Sequence, residues 1–115
     1  MRQLKTINEI ITTSEELSLY KKLVLQLSKD FLRANITVCF KEGVQPQKLI
    51  NQLQETISKL MHERFSEYLN LLYIVDVSEE KIKQINKDNI EDVTKQVAYL
   101  ILLREWQKVW FKSNY

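Results

Sequence analysis

The chain has 115 residues, 44% hydrophobic and 28% charged, which is the composition of an ordinary globular domain. This length predicts a single domain, residues 1–115, with no room for a second. The chain has one glycine and one proline, which disfavours turn-rich β-sandwiches and glycine-lined phosphate loops, because both need positive φ at several positions. The net charge of +2 is spread along the chain, whereas nucleic-acid-binding domains usually show a clustered basic excess. Composition therefore predicts helices.

The cysteine count and the apolar runs predict a cytoplasmic protein. Cys39 is the only cysteine, so we expect no internal disulfide and no Cys-x-x-Cys metal or redox motif. Polar residues interrupt the N-terminal segment before it reaches the length of a signal-peptide core. The longest apolar run, Val97 to Leu103, is far shorter than the ~20 residues that span a bilayer.

The first third of the chain predicts one long helix after a short N-terminal element. Residues 1–12 carry apolar residues at helical spacing but no evident cap, which fits a short helix or a docked arm. Thr13 and Glu16 fit a capping box, with Ser14 as the alternative cap, so a helix is expected over 14–34. Its apolar stripe is Leu17, Tyr20, Val24, Leu27 and Phe31.

Two readings are open for the middle of the chain. Residues 36–40 alternate and are rich in β-branched residues, and they could pair with 72–77 as a minor two-stranded element around an intervening helix. We favour a helix over 46–75, because its apolar stripe keeps the helical period without a break signal. Gly43 and Pro46 mark its start.

The C-terminal part predicts a short helix followed by a long one. Ser78 is a natural N-cap for a helix over 79–86, and Asp88 or Asn89 for a helix over 89–112. Hairpin connections would make the three long helices a small antiparallel bundle, an all-α fold. The expected core comprises Leu17, Tyr20, Val24, Leu27, Phe31, Leu53, Ile57, Leu60, Leu72, Val97, Leu100 and Ile101.

Protonatable side chains form one group that could suggest a site, namely His62, Glu63 and Glu67. Glu63 and Glu67 are four residues apart and would share a helix face. A di-iron site needs Glu-x-x-His, and position 59 is Lys; a zincin needs a second His where Ser66 stands. We therefore expect an exposed histidine among surface charges and predict no catalytic residue, cofactor, metal or small-molecule substrate. A metal-dependent enzyme built on this face is the second alternative.

The last helix is the most informative region. Its run from Val97 to Leu103 is apolar all round and must face protein on every side. Tyr99, Leu103, Trp106 and Trp110 then form a stripe at steps of four, three and four. In so small a domain we interpret this stripe as a surplus face for a protein partner or a homodimer; the alternative is that the tryptophans close the core.

The leading functional prediction is thus a non-enzymatic helical module that self-associates or docks on a partner protein. The first alternative is peripheral contact with nucleic acid or a membrane surface, which the overall charge disfavours. It would use the end of the last helix, where basic and aromatic residues interleave: Arg104, Lys108 and Lys112 with Trp106, Trp110, Phe111 and Tyr115.

The sequence also carries a resemblance in its C-terminal half. The stretch from Leu71 to Lys81, followed by Arg104 to Lys108, resembles a family of small bacterial proteins of unassigned function. The resemblance implies a compact helical domain and brings no activity, cofactor or catalytic residue.

Overall fold

A computed structural model describes residues 3–38 and 40–114, and within them all regular structure is helical. The helices are α1 (Ile7–Glu16), α2 (Tyr20–Arg33), α3 (Pro46–Glu63), α4 (Phe65–Val75), α5 (Glu79–Lys83) and α6 (Ile90–Asn114). The all-α prediction is confirmed. The minor two-stranded element is not found among the described residues, since 72–75 belongs to α4; Cys39, in its first half, lies outside them.

The predicted helix over 14–34 is two helices, and the predicted capping box is wrong. Thr6 caps α1, its side chain accepting a hydrogen bond from the Glu9 amide. Ser14 lies inside α1, fully buried, and its Oγ donates to the carbonyl of Ile11 at 2.7 Å. The chain turns at Ser18, whose φ of 58° lies in the left-handed region, and Leu17 is 51% exposed instead of buried.

The predicted helix over 46–75 is likewise interrupted, at Arg64. This residue has φ −142° and ψ 60°, so α3 ends and α4 starts with a change of direction. No glycine or proline marks the break in the sequence. The left-handed conformation of Asp76 then ends α4, and Val77 N donates to the Leu72 carbonyl at 3.0 Å.

The predicted caps of the last two helices are confirmed. The Ser78 side chain accepts from Lys81 N, and Asn89 Oδ1 accepts from Glu91 N at 2.9 Å. The short helix ends at Lys83, before the predicted Asn86, and α6 matches its predicted range within two residues at each end.

Helix α6 is the centre of the packing, because it contacts α1, α2, α3 and α4. Nine predicted core residues are buried: Val24, Leu27, Phe31, Leu53, Ile57, Leu60, Leu72, Val97 and Ile101. Tyr20 and Leu100 are only half-buried. Phe31 packs edge-on against Phe40, with ring centroids 5.1 Å apart, so the segment after α2 closes one side of the core.

None of the described helices combines the length and the apolar character required to cross a bilayer.

Candidate functional site

The four residues predicted as an interface do not share one exposed face. Trp106 is 1% exposed and belongs to the core, whereas Tyr99, Leu103 and Trp110 are half-buried against it. The Tyr99 hydroxyl donates to the Leu4 carbonyl at 2.6 Å and so ties the N-terminal segment to α6. Trp106 therefore cannot contact a partner in this fold, and association through the other three stays a prediction.

The basic residues of the same helix also contact other residues of the chain. Arg104 contacts Asp76 Oδ2 at 3.1 Å, and Lys112 donates to Gln26 Oε1 at 3.1 Å. Lys108 points into the fold and is 19% exposed. The predicted basic-aromatic end of α6 thus loses Trp106 and Lys108 to the interior, and Tyr115 lies outside the described residues.

A buried ionic cluster, which we define as Asp30, Glu105 and Lys108, joins α2 to α6. Asp30 is 1% exposed and Glu105 is 0% exposed. Lys108 Nζ lies 2.6 Å from Asp30 Oδ2 and 2.8 Å from Glu105 Oε1, and Gln26 Nε2 donates to Asp30 Oδ2 at 3.2 Å. Two carboxyl groups therefore share one ammonium in the interior.

The two carboxyl groups of this cluster differ in protonation. Burial raises the pKa of Glu105 to about 9, and its hydrogen bond with Asp30 acts in the same direction. Burial alone would raise the pKa of Asp30, but hydrogen bonds from Glu105, Lys108 and Gln26 and the charge of Lys108 hold it below its usual value. At neutral pH the cluster is thus a protonated Glu105 that donates to an Asp30 carboxylate, balanced by one lysine.

This cluster is suited to a structural role. Its carboxyl groups have almost no exposed surface, so a substrate could reach them only if α2 and α6 separated. Because the buried Asp30 carboxylate on α2 is balanced by Lys108 on α6, separating the two helices would leave it unpaired, so the cluster fixes how α6 lies against α2. The sequence does not predict this cluster, because Asp30 is not one of the apolar stripe residues of its helix and no local signal links it to Glu105, 75 positions away.

The group formed by His62, Glu63 and Glu67 is separated by the break at Arg64. Glu63 ends α3 and Glu67 lies in the first turn of α4, so the expected shared helix face does not exist. His62 Nδ1 contacts the Ser58 carbonyl at 2.7 Å, and Glu67 is bound by Arg64 at 2.6 Å. Among residues 3–38 and 40–114, no three potential ligands are grouped as a metal site would require.

The longest row of exposed large apolar side chains in the described part of the chain is on α4. Phe65, Leu69 and Tyr73, which we call the α4 face, follow each other at steps of four and are 56%, 50% and 75% exposed. They are exposed because α4 restarts after Arg64 and buries a different row: Tyr68, Leu71, Leu72 and Val75. The sequence carries a signal for a surplus of apolar surface on this helix, since residues 71–75 are apolar on every side of it, as residues 97–103 are on α6.

A groove of about 680 Å³ adjoins the α4 face, between α4 and α5. Leu69, Leu72 and Tyr73 form its α4 wall, and Ile82 lies on the other side. Its rim carries charged side chains: Asp76, Glu79 and Lys83. The arrangement can hold apolar side chains from another molecule, and no reactive group lies among the apolar residues that form its walls.

Comparison with protein-family models, with curated proteins and with solved structures found no match to this chain.

Proposed function

We propose that this chain is a non-enzymatic interaction module that self-associates through the α4 face. One observation carries the proposal: three large apolar side chains are half or more exposed in a single row, beside a groove with apolar walls. Isolated apolar residues are ordinary on protein surfaces, but a contiguous row is typical of an interaction surface.

The spacing of the row favours a second copy of the chain as its partner. Phe65 and Tyr73 lie at equal distances on either side of Leu69, so an antiparallel α4 from a second copy would match the row with itself. Leu69 would lie at the two-fold axis, and each Phe65 would meet the Tyr73 of the other copy. Large aromatic side chains near the centre of an interface supply much of its binding energy.

The helix dipole of α4 fits the same arrangement. Its terminal side-chain charges are already paired within the chain, Arg64 with Glu67 and Asp76 with Arg104, so they do not set the direction. An antiparallel copy would place the positive end of one helix dipole near the negative end of the other.

The oligomeric state tests this proposal. Leu69→Asp introduces a charge at the axis, and we expect it to convert a dimer into a monomer in light scattering at micromolar concentration. Leu32→Asp is the matched control, because Leu32 is 76% exposed on a different helix and should leave the dimer intact. A wild-type chain that is monomeric at high micromolar concentration would refute self-association.

Disulfide cross-linking tests the geometry in a background where Cys39 is replaced by serine. Leu69→Cys would meet its own copy at the axis and cross-link under mild oxidation. Phe65→Cys should not, because the two copies of residue 65 would be offset by about 12 Å along the helix, beyond disulfide reach. Cross-linking of Phe65→Cys with none of Leu69→Cys would contradict the antiparallel arrangement.

We also propose how the helices pack and where the protein acts. The long helices are proposed to pack as an antiparallel bundle, and the protein is proposed to act in the cytoplasm, which suits a lone cysteine. Docking of another protein on the same face remains the alternative if the chain proves monomeric.

A further inference from the structure

The outer surface of α2 has an unusual composition. Every exposed residue of this helix is either basic or a leucine, and together they form what we call the α2 face: Lys21, Lys22, Leu25, Lys29, Leu32 and Arg33. The two leucines are one heptad apart, on the same side of the helix, and are 56% and 76% exposed. Positive charge and exposed aliphatic side chains thus lie side by side.

The positive charge of this face is not offset by an acidic residue of the same helix at the surface. The only carboxylate of α2 is Asp30, which is buried and bound by Lys108 at 2.6 Å. Arg33 keeps a loose contact with it, 3.7 Å from Asp30 Oδ1. Turning Asp30 inward therefore leaves the outer face of α2 uniformly basic.

The C-terminal end of α6 extends the same surface. A groove of about 300 Å³ runs between the two helices, and its lining is basic, apolar or uncharged polar: Lys22, Leu25, Gln26, Lys29, Val109, Lys112 and Ser113. Phe111, next to Lys112, is 46% exposed. Three of the residues that line the groove are lysines, so an anionic group entering it would meet positive charge; one of them, Lys112, also donates to Gln26 Oε1 at 3.1 Å.

We propose that the α2 face docks on the surface of an anionic lipid bilayer. Lysine and arginine side chains are attracted to acidic headgroups, and leucine side chains enter the apolar zone just beneath them. A nucleic acid would match the charge, and Arg33 and Phe111 could stack on bases, but the two exposed leucines offer no plane for stacking and are explained only by an apolar phase. The surface is separate from the α4 face and does not depend on self-association.

Binding to vesicles tests the charge requirement. We expect the full chain to co-sediment with vesicles that contain phosphatidylserine and to dissociate from them in high salt. It should not bind vesicles of pure phosphatidylcholine. Each lysine near an anionic surface contributes about fivefold in binding, so Lys22→Gln with Lys29→Gln should weaken it roughly 25-fold. The control pair, Lys48→Gln with Lys59→Gln, removes the same charge from exposed positions on α3 and should change binding only slightly.

The leucines separate a lipid surface from any other polyanion. Leu25→Asn or Leu32→Asn should weaken vesicle binding roughly tenfold each, because an inserted aliphatic side chain is lost. Ile90→Asn is the control, at 53% exposure on the first turn of α6, and should have no effect. Circular dichroism of each variant would verify the fold.

Three results would overturn the proposal. The first is no binding to anionic vesicles at low salt. The second is an equal loss with the α3 lysine pair, which would mean that net charge alone is responsible. The third is unchanged vesicle binding in both leucine variants together with equally tight binding to a single-stranded oligonucleotide, which would make the α2 face a general polyanion surface.

Discussion

The protonated Glu105 predicts that the protein becomes less stable as pH rises through the neutral range. Its pKa is raised from an ordinary value of 4.5 to about 9 in the folded chain, because the side chain is fully buried. Between these two values the folded chain holds a proton that the unfolded chain has released. The free energy of unfolding must then fall as pH increases, and this contribution is complete below the lower value and lost through the upper one.

The size of the effect follows from linkage. One proton difference changes the free energy of unfolding by about 1.4 kcal/mol per pH unit, so stability should drop by roughly 2 to 3 kcal/mol between about pH 6 and pH 8. Asp30, whose pKa is held below its usual value, acts in the opposite direction only at acidic pH, where its protonation removes the charge that Lys108 balances. The window near neutrality therefore reports on Glu105.

Glu105→Gln isolates this contribution, because the amide keeps the size of the acid and cannot ionise. We expect urea denaturation to show a pH-dependent midpoint for the wild type and a nearly constant one for the variant. The variant should be clearly more stable than the wild type at about pH 8.5, and the difference should shrink as pH falls toward about 4.5, where the acid is protonated in both the folded and the unfolded chain. A wild-type stability that is flat or increasing over this window, or a variant that keeps the wild-type slope, would refute the assignment of a buried protonated acid.

The remaining predictions concern the core and the ion pair. Trp106→Ala should cost about 3 to 5 kcal/mol in thermal or urea unfolding regardless of protein concentration, since Trp106 is buried within one chain, whereas the half-buried Trp110 should cost less when truncated in the same way. Equal costs for the two variants would contradict the difference in burial. A cost that depends on protein concentration would indicate that the tryptophans lie in an interface between chains. Lys108→Met should cost about 3 kcal/mol by leaving Asp30 charged and unpaired, and adding Asp30→Asn should recover part of that loss; strictly additive costs would show that the pair is not coupled.

The sequence alone determined the fold class and most of the core. The scarcity of glycine, the apolar stripes at helical spacing and the polar caps at Ser78 and Asn89 all depend on interactions within a few residues, so they can be read locally. Nine of the twelve predicted core positions are buried for this reason. The start of α3 at Pro46, also predicted, follows from the fixed φ of proline.

Only the tertiary structure decided where the long helices break. Neither Ser18 nor Arg64 is a residue type that normally ends a helix, and both stretches keep an apolar pattern across the break. The chain bends there because α1 and α4 must turn back onto α6, and burial against α6 outweighs the few hydrogen bonds that a continuous helix would retain. The break at Arg64 in turn leaves Phe65 and Leu69 at the surface, which created the α4 face.

The burial of the acidic side chains also depends on the tertiary structure. Asp30 and Glu105 are acidic residues of a type usually found at the surface, and the i,i+3 spacing of Glu105 and Lys108 would suit a surface ion pair equally well. Both carboxyl groups nevertheless lie in the interior, because α2 and α6 pack side by side. The same packing placed Trp106 in the core, leaving Leu25 and Leu32 outside among lysines. Local patterns determine which side of a helix is apolar, whereas the choice between a core and a surface depends on which helices meet.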